Sequence, residues 1–295
     1  MTATTHHKAL EDILGGLPVL AVALSGGVDS RFLVHMALRA GCRVVALHAT
    51  GPHVAPRETL WARDWAQRTG VRLMLVEFDP LPIAAVTSGS PDRCYHCKRA
   101  LMQALRRALP EDAACAPLCD GTNADDLAAH RPGLRALHEC GVRSPLAEAG
   151  IHKAHIRTLG AATGLAAPEQ AARPCLLTRL PYGMRPSAPL LRRLARAEAA
   201  LEDMGLRDFR LRVRPDAPVL LQLGPSEAVA ESGGTSPHPG DMLLTGTAGH
   251  LRRGIDAAVL RAALNDAGFP DADIASTDGV SGYFDRTTGG TPVTT

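Results

Sequence analysis

The feature that most constrains the fold is a polar, glycine-containing turn directly after a run typical of a buried strand. The turn is Ser25-Gly26-Gly27-Val28-Asp29-Ser30, and it lies between the apolar run 18–24 and a helix-like segment, 31–40. Its glycines let the backbone bend and approach a ligand, and the N–H groups that open the next helix attract anions. Its serines add hydroxyl donors, and Asp29 can hold a metal ion beside phosphate. The turn therefore predicts a phosphate-binding loop.

This loop differs from two common nucleotide-binding patterns. No lysine follows the glycines, as it does in the Gly-Lys-Ser/Thr ending of the Walker type, and the spacing is not G-x-G-x-x-G. An ordinary strand-to-helix turn is the alternative interpretation. Its position after the first Val/Leu-rich run of the chain favours the phosphate-binding interpretation.

The rest of the N-terminal region alternates between two kinds of segment. Short apolar runs are typical of strands covered on both faces, and the segments between them have the length and pattern of helices. This order predicts a doubly wound parallel α/β sheet, with ligands bound at the carboxyl ends of its strands. The predicted strands are 19–24, 43–49, 71–78 and 113–119, and the predicted helices are 31–40, 57–69 and 98–109.

A second polar loop follows the fourth apolar run. It reads Asp120-Gly121-Thr122-Asn123-Ala124-Asp125-Asp126. Its carboxylates and amide are able to hold Mg²⁺ and to orient a nucleotide, because Mg²⁺ prefers one or two carboxylates together with phosphate oxygens. An Asx turn that caps a helix is the alternative. Both polar loops fall at carboxyl ends of predicted strands, which favours a shared site.

The C-terminal part has a different pattern and predicts a second, smaller α+β domain. Ser187 is placed to cap a helix that ends near Asp203, with an apolar stripe that includes Leu190 and Leu194. Further strands are predicted at 219–223 and 242–244, and a helix at 255–267. The sequence thus predicts domains 1–184 and 185–295, with a frayed tail from about residue 287.

Three cysteines stand out among the seven in the chain. Cys94 and Cys97 form a C-x-x-C pair, and Cys175 follows 78 positions after Cys97 in a predicted loop. Three thiolates suit a [4Fe–4S] cluster with one open iron, whereas a structural zinc takes four ligands, of which His96 would be the fourth. Three unrelated thiols remain the other alternative. We expect the other four cysteines to be packing residues.

Several charged residues are candidates for binding an anionic substrate, because guanidinium matches phosphate and carboxylate in bidentate geometry. A strand at 210–214 would place three guanidiniums on one face. Glu198 borders the apolar stripe of its predicted helix. For each single residue, an ordinary solvated position is the alternative. The candidate arginines are Arg131, Arg143, Arg179, Arg212 and Arg214.

Composition excludes several classes of function. The 32 basic and 30 acidic residues leave a formal charge of +2, so no global field favours nucleic acid or a membrane surface. No apolar stretch reaches the length of a membrane span, and the polar start of the chain lacks the apolar core of a signal peptide. We therefore expect a cytoplasmic protein.

Read together, these motifs resemble a known family. The loop 25–30 is similar to the SGGxDS signature of the PP-loop ATP pyrophosphatases, and several separated motifs follow in the order found in the LarE family. LarE proteins are PP-loop sulfur transferases that help to build the nickel-pincer nucleotide cofactor. The resemblance runs from about residue 10 to Gly183. Its further motifs are residues 91–98, 120–126, 131–133, 141–146 and 175–183.

The resemblance implies a substrate and a reaction. ATP would adenylate the carboxylates of pyridinium-3,5-biscarboxylic acid mononucleotide, which are then converted to thiocarboxylates. Cys175 matches the family cysteine that gives up its own sulfur in some members, and in others that cysteine joins a C-x-x-C pair to hold a [4Fe–4S] cluster. Because Cys94 and Cys97 are both present, we expect the cluster-bearing form. The resemblance also implies a homo-oligomer, and we expect sulfide or a sulfur carrier as donor.

The resemblance assigns roles to the remaining candidates. Ser25, Gly26, Gly27, Asp29 and Ser30 bind ATP with Mg²⁺, and Asp29 and Ser30 act in catalysis with Cys175. The second loop also binds the nucleotide through Asp120, Gly121, Asn123 and Asp125. Substrate is bound by Arg179, Glu198, Arg212 and Arg214.

The match weakens after Arg214. Where relatives have an Ala-Arg-Ile-Glu-like strand, this chain has Leu220-Leu221-Gln222-Leu223. Before Arg214, the loop 169–174 also lacks the expected Lys-Pro. Two alternatives therefore stay open. One is another PP-loop enzyme, either a tRNA thiolase or an amide-forming ligase. The other is a non-catalytic nucleotide-binding or metal-carrying accessory protein.

Overall fold

A computed structural model describes residues 3–127, 132–227, 229–230, 255–280 and 283–284. The chain divides into two compact units, Met1–Cys175 and Leu176–Thr295. Three sequence predictions lie outside the described residues: Arg131, the strand at 242–244 and the tail from about residue 287. Within the described residues, no helix has both the length and the apolar character needed to cross a membrane.

The first unit contains a four-stranded sheet in which all strands are parallel, as predicted. The strand order is β3-β2-β1-β4, and β1 pairs with β2 on one side and with β4 on the other. The elements are α1 (Ala3–Gly15), β1 (Val19–Ala23), α2 (Val28–Arg39), β2 (Arg43–Thr50), α3 (Pro56–Thr69), β3 (Arg72–Glu77), α4 (Ala84–Thr87), α5 (Arg93–Arg107), β4 (Leu118–Cys119), α6 (Ala124–Leu127), α7 (Pro132–Glu139), α8 (Pro145–Glu148) and α9 (Lys153–Thr163).

Apolar packing covers both faces of this sheet. Alternate residues of a strand point to opposite faces, so Leu20 and Val22 of β1 pack in one core with residues of α1, α2, α3 and α9. Ala21 of β1 packs in a second core with Leu105 of α5 and Leu137 of α7. Helices on both faces make the sheet doubly wound and confirm the predicted class.

The strand order places the two polar loops side by side. The chain leaves β1 for β2 and β3 on one side and returns to the other side of β1 as β4. The strand order therefore reverses between β1 and β4, and ligands of such sheets bind where it reverses. Residues 24–27 follow β1 and residues 120–123 follow β4, so both predicted loops lie at this point.

Two predicted boundaries in this unit were wrong by five residues. The strand expected at 113–119 contains only Leu118–Cys119, because Pro117 lacks an N–H and residues 111–113 form a 3₁₀ turn instead. The helix expected from residue 98 begins at Arg93. The C-x-x-C pair is therefore helical, and its two cysteines lie three residues apart on one helix face.

The second unit has the predicted mixture of helix and strand. A sheet of order β5-β6-β9 has an antiparallel β5–β6 pair and a parallel β6–β9 pair, and β7 pairs with β8 separately. Ser187 caps the long helix as predicted, accepting a hydrogen bond from the Leu190 N–H. The elements are α10 (Ala188–Asp203), β5 (Phe209–Arg214), β6 (Ala217–Leu223), β7 (Val229–Ala230), β8 (Ile255–Asp256), α11 (Ala257–Asp266) and β9 (Asp273–Ser276).

The apolar stripe of α10 differs from the prediction by one position. Leu191, Leu194 and Leu201 are buried, whereas Leu190 is half-buried. One residue turns an α-helix by about 100°, so Leu190 lies at the border of the stripe.

Candidate active site

The loop after β1 forms the turn that the sequence predicts. Gly26 has a φ of +87°, which other residues rarely adopt, and Gly27 is the extended N-cap of α2. The Ser25 Oγ accepts from the Gly27 N–H at 3.3 Å and lies 3.1 Å from the Ser30 Oγ. Because α2 begins at Val28, Asp29 and Ser30 lie in its first turn. The N–H groups there suit an anion such as phosphate.

The loop after β4 contacts the start of α2 closely. A Cβ on Gly121 would lie 2.6 Å from the Ser30 backbone nitrogen and 2.8 Å from the Ser30 Cα. Only glycine fits this contact. The Asn123 Nδ2 donates to the Asp29 Oδ2 at 3.0 Å, and the Asn123 side chain is fully buried. Asn123 therefore fixes the orientation of the carboxylate that the sequence singled out in the first loop.

Asp120 stabilises the second loop internally. Its Oδ1 accepts from the Ser144 Oγ at 2.8 Å, and its Oδ2 accepts from the Thr122 Oγ1 at 2.7 Å. Asp120 is buried at the carboxyl end of β4. It is thus the anchor of an Asx-type turn, which was the alternative interpretation of this motif.

Asp125 contacts the start of α9. Its Oδ1 lies 2.7 Å from the His152 Nδ1, and its Oδ2 accepts from the Lys153 N–H at 2.7 Å. The hydrogen bond with His152 is the main cause that lowers the pKa of Asp125. Its predicted contact with the nucleotide stays a prediction, since the structure shows it holding a helix end.

Asp29 and the neighbouring amide fit a Mg²⁺ ion in donor type. Asp29 supplies a carboxylate beside the anion-binding start of α2, and Asn123 holds it in place. Among the described residues, no group of three or more His, Cys, Asp or Glu side chains is arranged to hold a metal ion. A Mg²⁺ ion that takes one or two protein ligands and the rest from phosphate and water does not need such a group.

Cys94, Cys97 and Cys175 lie close enough for two of the thiols to influence the pKa of the third. The pKa of Cys97 is raised to about 12, chiefly by burial and then by the neighbouring thiols of Cys175 and Cys94. Cys94 is exposed, and Cys97 and Cys175 are half-buried. The fold therefore brings Cys175 near the C-x-x-C pair, although the described residues do not place the three in metal-binding geometry. Of the other four, Cys42 and Cys119 are buried, Cys140 is half-buried, and the expectation of packing was wrong for exposed Cys115.

Sequence reasoning missed three charged residues around the first loop. Arg31 is fully buried in α2, and its guanidinium stacks over the Trp61 ring, 4.2 Å from the centroid. Burial lowers its pKa to about 10, with Arg173 as the next cause. The Arg173 Nη1 lies 2.7 Å from the Glu58 Oε1. Arg31 directly follows the loop motif, but no spacing pattern marks it, and Glu58 and Arg173 lie far apart in the chain.

In the second unit, Arg179 and Glu198 form a buried ion pair. The Arg179 Nε and Nη2 donate to the two carboxylate oxygens of Glu198, each at 2.8 Å. The Glu198 Oε1 also accepts from the Leu211 N–H at 3.2 Å. These two predicted substrate residues therefore contact each other and the backbone of β5.

Arg212 and Arg214 also have partners inside the second unit. The Arg212 guanidinium donates to the Gln222 Oε1 at 3.1 Å, to the Thr178 carbonyl at 2.9 Å and to the Val280 carbonyl. The pKa of Arg212 is lowered to about 10, chiefly by burial and then by the neighbouring charge of Arg179. Arg214 donates to the Pro218 carbonyl at 2.7 Å and pairs with Asp273. Their binding of substrate stays a prediction.

Arg143, the remaining candidate arginine among the described residues, forms an ion pair in the first unit. Its Nη2 lies 2.5 Å from the Glu148 Oε2. The hydrogen bond with Glu148 is the main cause that raises the pKa of Arg143.

Comparisons with known proteins found curated relatives of this chain. No family model matches the chain. An uncharacterised protein of Synechocystis is 36% identical over 207 residues, which cover 69% of this chain and 76% of that protein. An uncharacterised protein of Methanocaldococcus jannaschii is 28% identical over 62% of this chain and 69% of that protein.

A third relative has a named activity. Pyridinium-3,5-bisthiocarboxylic acid mononucleotide synthase of Lactiplantibacillus plantarum is 30% identical over 213 residues, which cover 72% of this chain and 77% of that protein. Among solved structures, NMN synthetase of Francisella tularensis covers 58% of this chain and 76% of that one, with a TM-score of 0.45 and 14% identity.

The doubly wound sheet and its paired polar loops define a PP-loop nucleotide-modifying protein. The chain belongs to the LarE family, the family of the Lactiplantibacillus plantarum synthase.

Proposed function

We propose that the chain is an ATP-dependent sulfur transferase that converts the carboxylates of pyridinium-3,5-biscarboxylic acid mononucleotide to thiocarboxylates. The observation that carries this proposal is the contact between the two polar loops, in which Gly121 lies against Ser30 and Asn123 holds Asp29. The identity with the named synthase supports the choice of substrate. The reaction has an activating step and a sulfur-transfer step.

The first loop supports the activating step. A substrate carboxylate attacks the α-phosphorus of ATP, so an acyl–AMP bond forms and pyrophosphate leaves. Negative charge grows on the expelled pyrophosphate, and the N–H groups at the start of α2 with the hydroxyls of Ser25 and Ser30 are the donors that would stabilise it. Asp29 would hold Mg²⁺, which supplies further charge neutralisation to the phosphates.

Cys175 would supply the sulfur-transfer step. Its thiolate attacks the acyl carbon, the bond to AMP breaks, and a thioester forms. Removal of the Cys175 Cα proton then breaks the Cβ–S bond, which leaves a thiocarboxylate on the product and dehydroalanine in the chain. No oxidant or reductant is needed. This form of the reaction uses each chain once.

A [4Fe–4S] cluster on Cys94, Cys97 and Cys175 is the multiple-turnover form of the proposal. The donor set fits by type, because cysteine thiolates are the ligands of such clusters, and Cys94 and Cys175 lie close enough to Cys97 to influence its pKa. In the described part of the chain these three thiols do not form a metal-binding group, so we derive no step through the cluster. With the cluster, sulfide or a sulfur carrier would be the external donor.

The proposal assigns a role to each part of the chain. The predicted domain 1–184 activates the carboxylate. The predicted domain 185–295 binds substrate through the surroundings of Glu198, Arg212 and Arg214, with Arg179 just before it in the chain, or mediates oligomer formation. We propose a cytoplasmic homo-oligomer acting on a small nucleotide substrate.

The decisive experiment measures both steps with the purified protein, ATP, Mg²⁺ and the dicarboxylate mononucleotide. We expect pyrophosphate release that depends on the dicarboxylate, and thiocarboxylate detected by mass spectrometry. Asp29→Ala should lose pyrophosphate release, whereas Asp64→Ala, which removes an exposed carboxylate paired with Arg68, should keep it. A wild-type protein that binds ATP but releases no pyrophosphate would identify a binding protein and refute the proposal.

A second measurement separates the two sulfur sources. The protein is purified without oxygen, and its iron and sulfide content is measured before turnover. Iron and sulfide with repeated turnover would support the cluster. Absence of iron, one product per chain and dehydroalanine at position 175 would assign the sulfur to Cys175.

A further inference from the structure

The segment that ends at Cys175 has no helix or strand of its own. It runs from Gly164, the C-cap of α9, to Cys175. Leu165 is buried in the core, but Ala166 and Ala167 are exposed, and Ala167 has a φ of +49°, which L-residues disfavour. Contacts from outside the segment must therefore contribute to holding Cys175 in one place.

Arg31 provides the first of these contacts. From its fully buried position in α2, its Nη1 donates to the Ala166 carbonyl at 2.5 Å, and its Nη2 donates to the Ala167 carbonyl at 3.2 Å. The same Nη2 donates to the Gln170 Oε1. The guanidinium of Arg31 thus binds three acceptors of the segment. Because Arg31 directly follows Ser30, these bonds connect the segment to the end of the first loop. Only the planar fork of arginine has this geometry.

The Glu58–Arg173 pair provides the second contact. Glu58 lies in the first turn of α3 and Arg173 lies two residues before Cys175; their side chains are 13% and 24% exposed. The Glu58 Oε2 also lies 3.3 Å from the place where a Cβ on Gly26 would be. The pair therefore spans the space between the first loop and the end of the segment, where water screens it little.

Both contacts begin beside the first loop. Arg31 follows it in α2, and Glu58 lies against Gly26. The segment has another ion pair, between Arg157 and Glu169, but those side chains are 51% and 72% exposed and the pair distance is 3.5 Å. The buried contacts therefore connect Cys175 to the nucleotide loop, whereas the exposed pair only connects the segment to α9.

We propose that Arg31 and the Glu58–Arg173 pair are positioning residues that set the distance between Cys175 and the nucleotide loop. The inference rests on the proposed function, in which an acyl adenylate made at the loop must meet the sulfur held by Cys175. Reactions between two held groups depend steeply on their separation, and a misplacement of about 1 Å can cost about 100-fold in rate. Loss of either contact should thus impair sulfur transfer more than adenylation.

Three variants and one control test this inference. Gln170→Ala removes a side-chain acceptor of Arg31 without deleting a buried charge, Arg173→Met removes the second contact, and Arg173→Lys keeps its charge. Arg157→Gln removes the exposed pair of the same segment as the matched control. Pyrophosphate release and thiocarboxylate formation are measured for each, with KM for ATP.

We expect Gln170→Ala and Arg173→Met to lower the rate of thiocarboxylate formation about 10- to 100-fold while pyrophosphate release and KM for ATP stay within about twofold of wild type. Arg173→Lys should restore most of the rate, and Arg157→Gln should match wild type. Equal losses of both steps would overturn the inference, because they would place Arg173 in ATP binding or show general unfolding.

Alkylation of Cys175 tests the same contacts without turnover. Iodoacetamide is added to the protein without ATP, and the labelling rates of Cys175 and of exposed Cys94 are followed by peptide mass spectrometry. Gln170→Ala and Arg173→Met should change the Cys175 rate several-fold and leave the Cys94 rate unchanged. An unchanged Cys175 rate in both variants would overturn the inference. If wild type forms no thiocarboxylate, the proposed function fails while this measurement still decides the contacts.

Discussion

The nucleotide-loop edge of the first unit and the arginine network of the second unit are both built from polar residues, but they are held together differently. At the edge, short side chains and glycines are gathered by the strand order, and the closest contact is between Gly121 and the Ser30 backbone. In the network, Arg179 and Arg212 are long, buried and bonded to Glu198, Gln222 and backbone carbonyls. The edge leaves its helix N-terminus available for chemistry, whereas the network satisfies its own charges.

This difference separates two kinds of contribution to a site. Changing a residue at the edge should affect activity more than stability, because the loop backbone there forms the proposed anion site. Removing a charge from the network should affect stability first, because the remaining charge stays buried without its partner.

The largest expected effect on stability comes from Glu198→Ala. Arg179 would lose both of its carboxylate contacts, and the Leu211 N–H would lose its acceptor. Breaking a buried ion pair costs about 3–5 kcal/mol. Urea unfolding should show this loss in the free energy of unfolding, and Glu198→Gln, which keeps an acceptor, should lose less. A stable Glu198→Ala protein that has lost only substrate affinity would reverse the comparison.

Gly121→Ala should have a smaller effect on stability and a larger one on activity. The added Cβ would lie 2.6 Å from the Ser30 nitrogen, so the two loops must separate. Overpacking of this kind costs about 1–3 kcal/mol. Pyrophosphate release should fall to the level of Asp29→Ala.

Gly279→Ala is the matched control for that substitution, since no atom of the described residues lies within 4 Å of a Cβ there. It should leave pyrophosphate release and the unfolding free energy close to wild type. Full pyrophosphate release by Gly121→Ala would show that the close contact of the two loops is not needed for the reaction.

His53 gives a smaller, pH-dependent test of how a buried polar group affects stability in the first unit. It is a buried titratable residue that follows the end of β2. Burial lowers its pKa to about 4, and among the described residues its Nδ1 has no hydrogen-bond partner. A lowered pKa means that the unfolded state binds the proton more readily. The stability from neutral His53 is thus complete above about pH 6.5 and is lost as pH falls toward 4.

Between pH 7 and pH 5 this loss should amount to about 1–2 kcal/mol. Urea unfolding at the two pH values measures it in wild type and in His53→Phe, and the variant should lose less stability on acidification. His138→Gln, at an exposed histidine, is the control. An identical pH dependence in wild type and His53→Phe would show that His53 is hydrated or partnered in solution.

The fold of the first unit was predictable from sequence because its signals are local and repeated. Apolar runs, helix-length segments and the loop 25–30 together gave the class and the edge at which Asp29 and Asp120 lie. The short β4 was not predictable in detail, since its length depends on Pro117 and on pairing with β1. The helical start of α5 at Arg93 was missed, although its N-cap, Asp92, is a residue type favoured at that position.

The contacts of the site were less predictable than its residues. Asp125 and Glu198 were singled out by type and position, but the sequence does not show that one holds the start of α9 and the other holds Arg179. Arg31 and Glu58 were missed because their partners lie more than 100 positions away in the chain. Such pairings depend on tertiary packing, which a pattern of types and spacings does not contain.

The missing side chain at Gly121 couples the evolution of two distant stretches of the chain. Because Ser30 leaves no room for a Cβ there, a substitution that moves the backbone of either loop must be matched in the other. Recombination between family members is therefore constrained. A chimera with its junction between residues 30 and 121 takes the two loops from different parents, so their contact surfaces did not evolve together. A junction beyond Ile151 takes both loops from one parent.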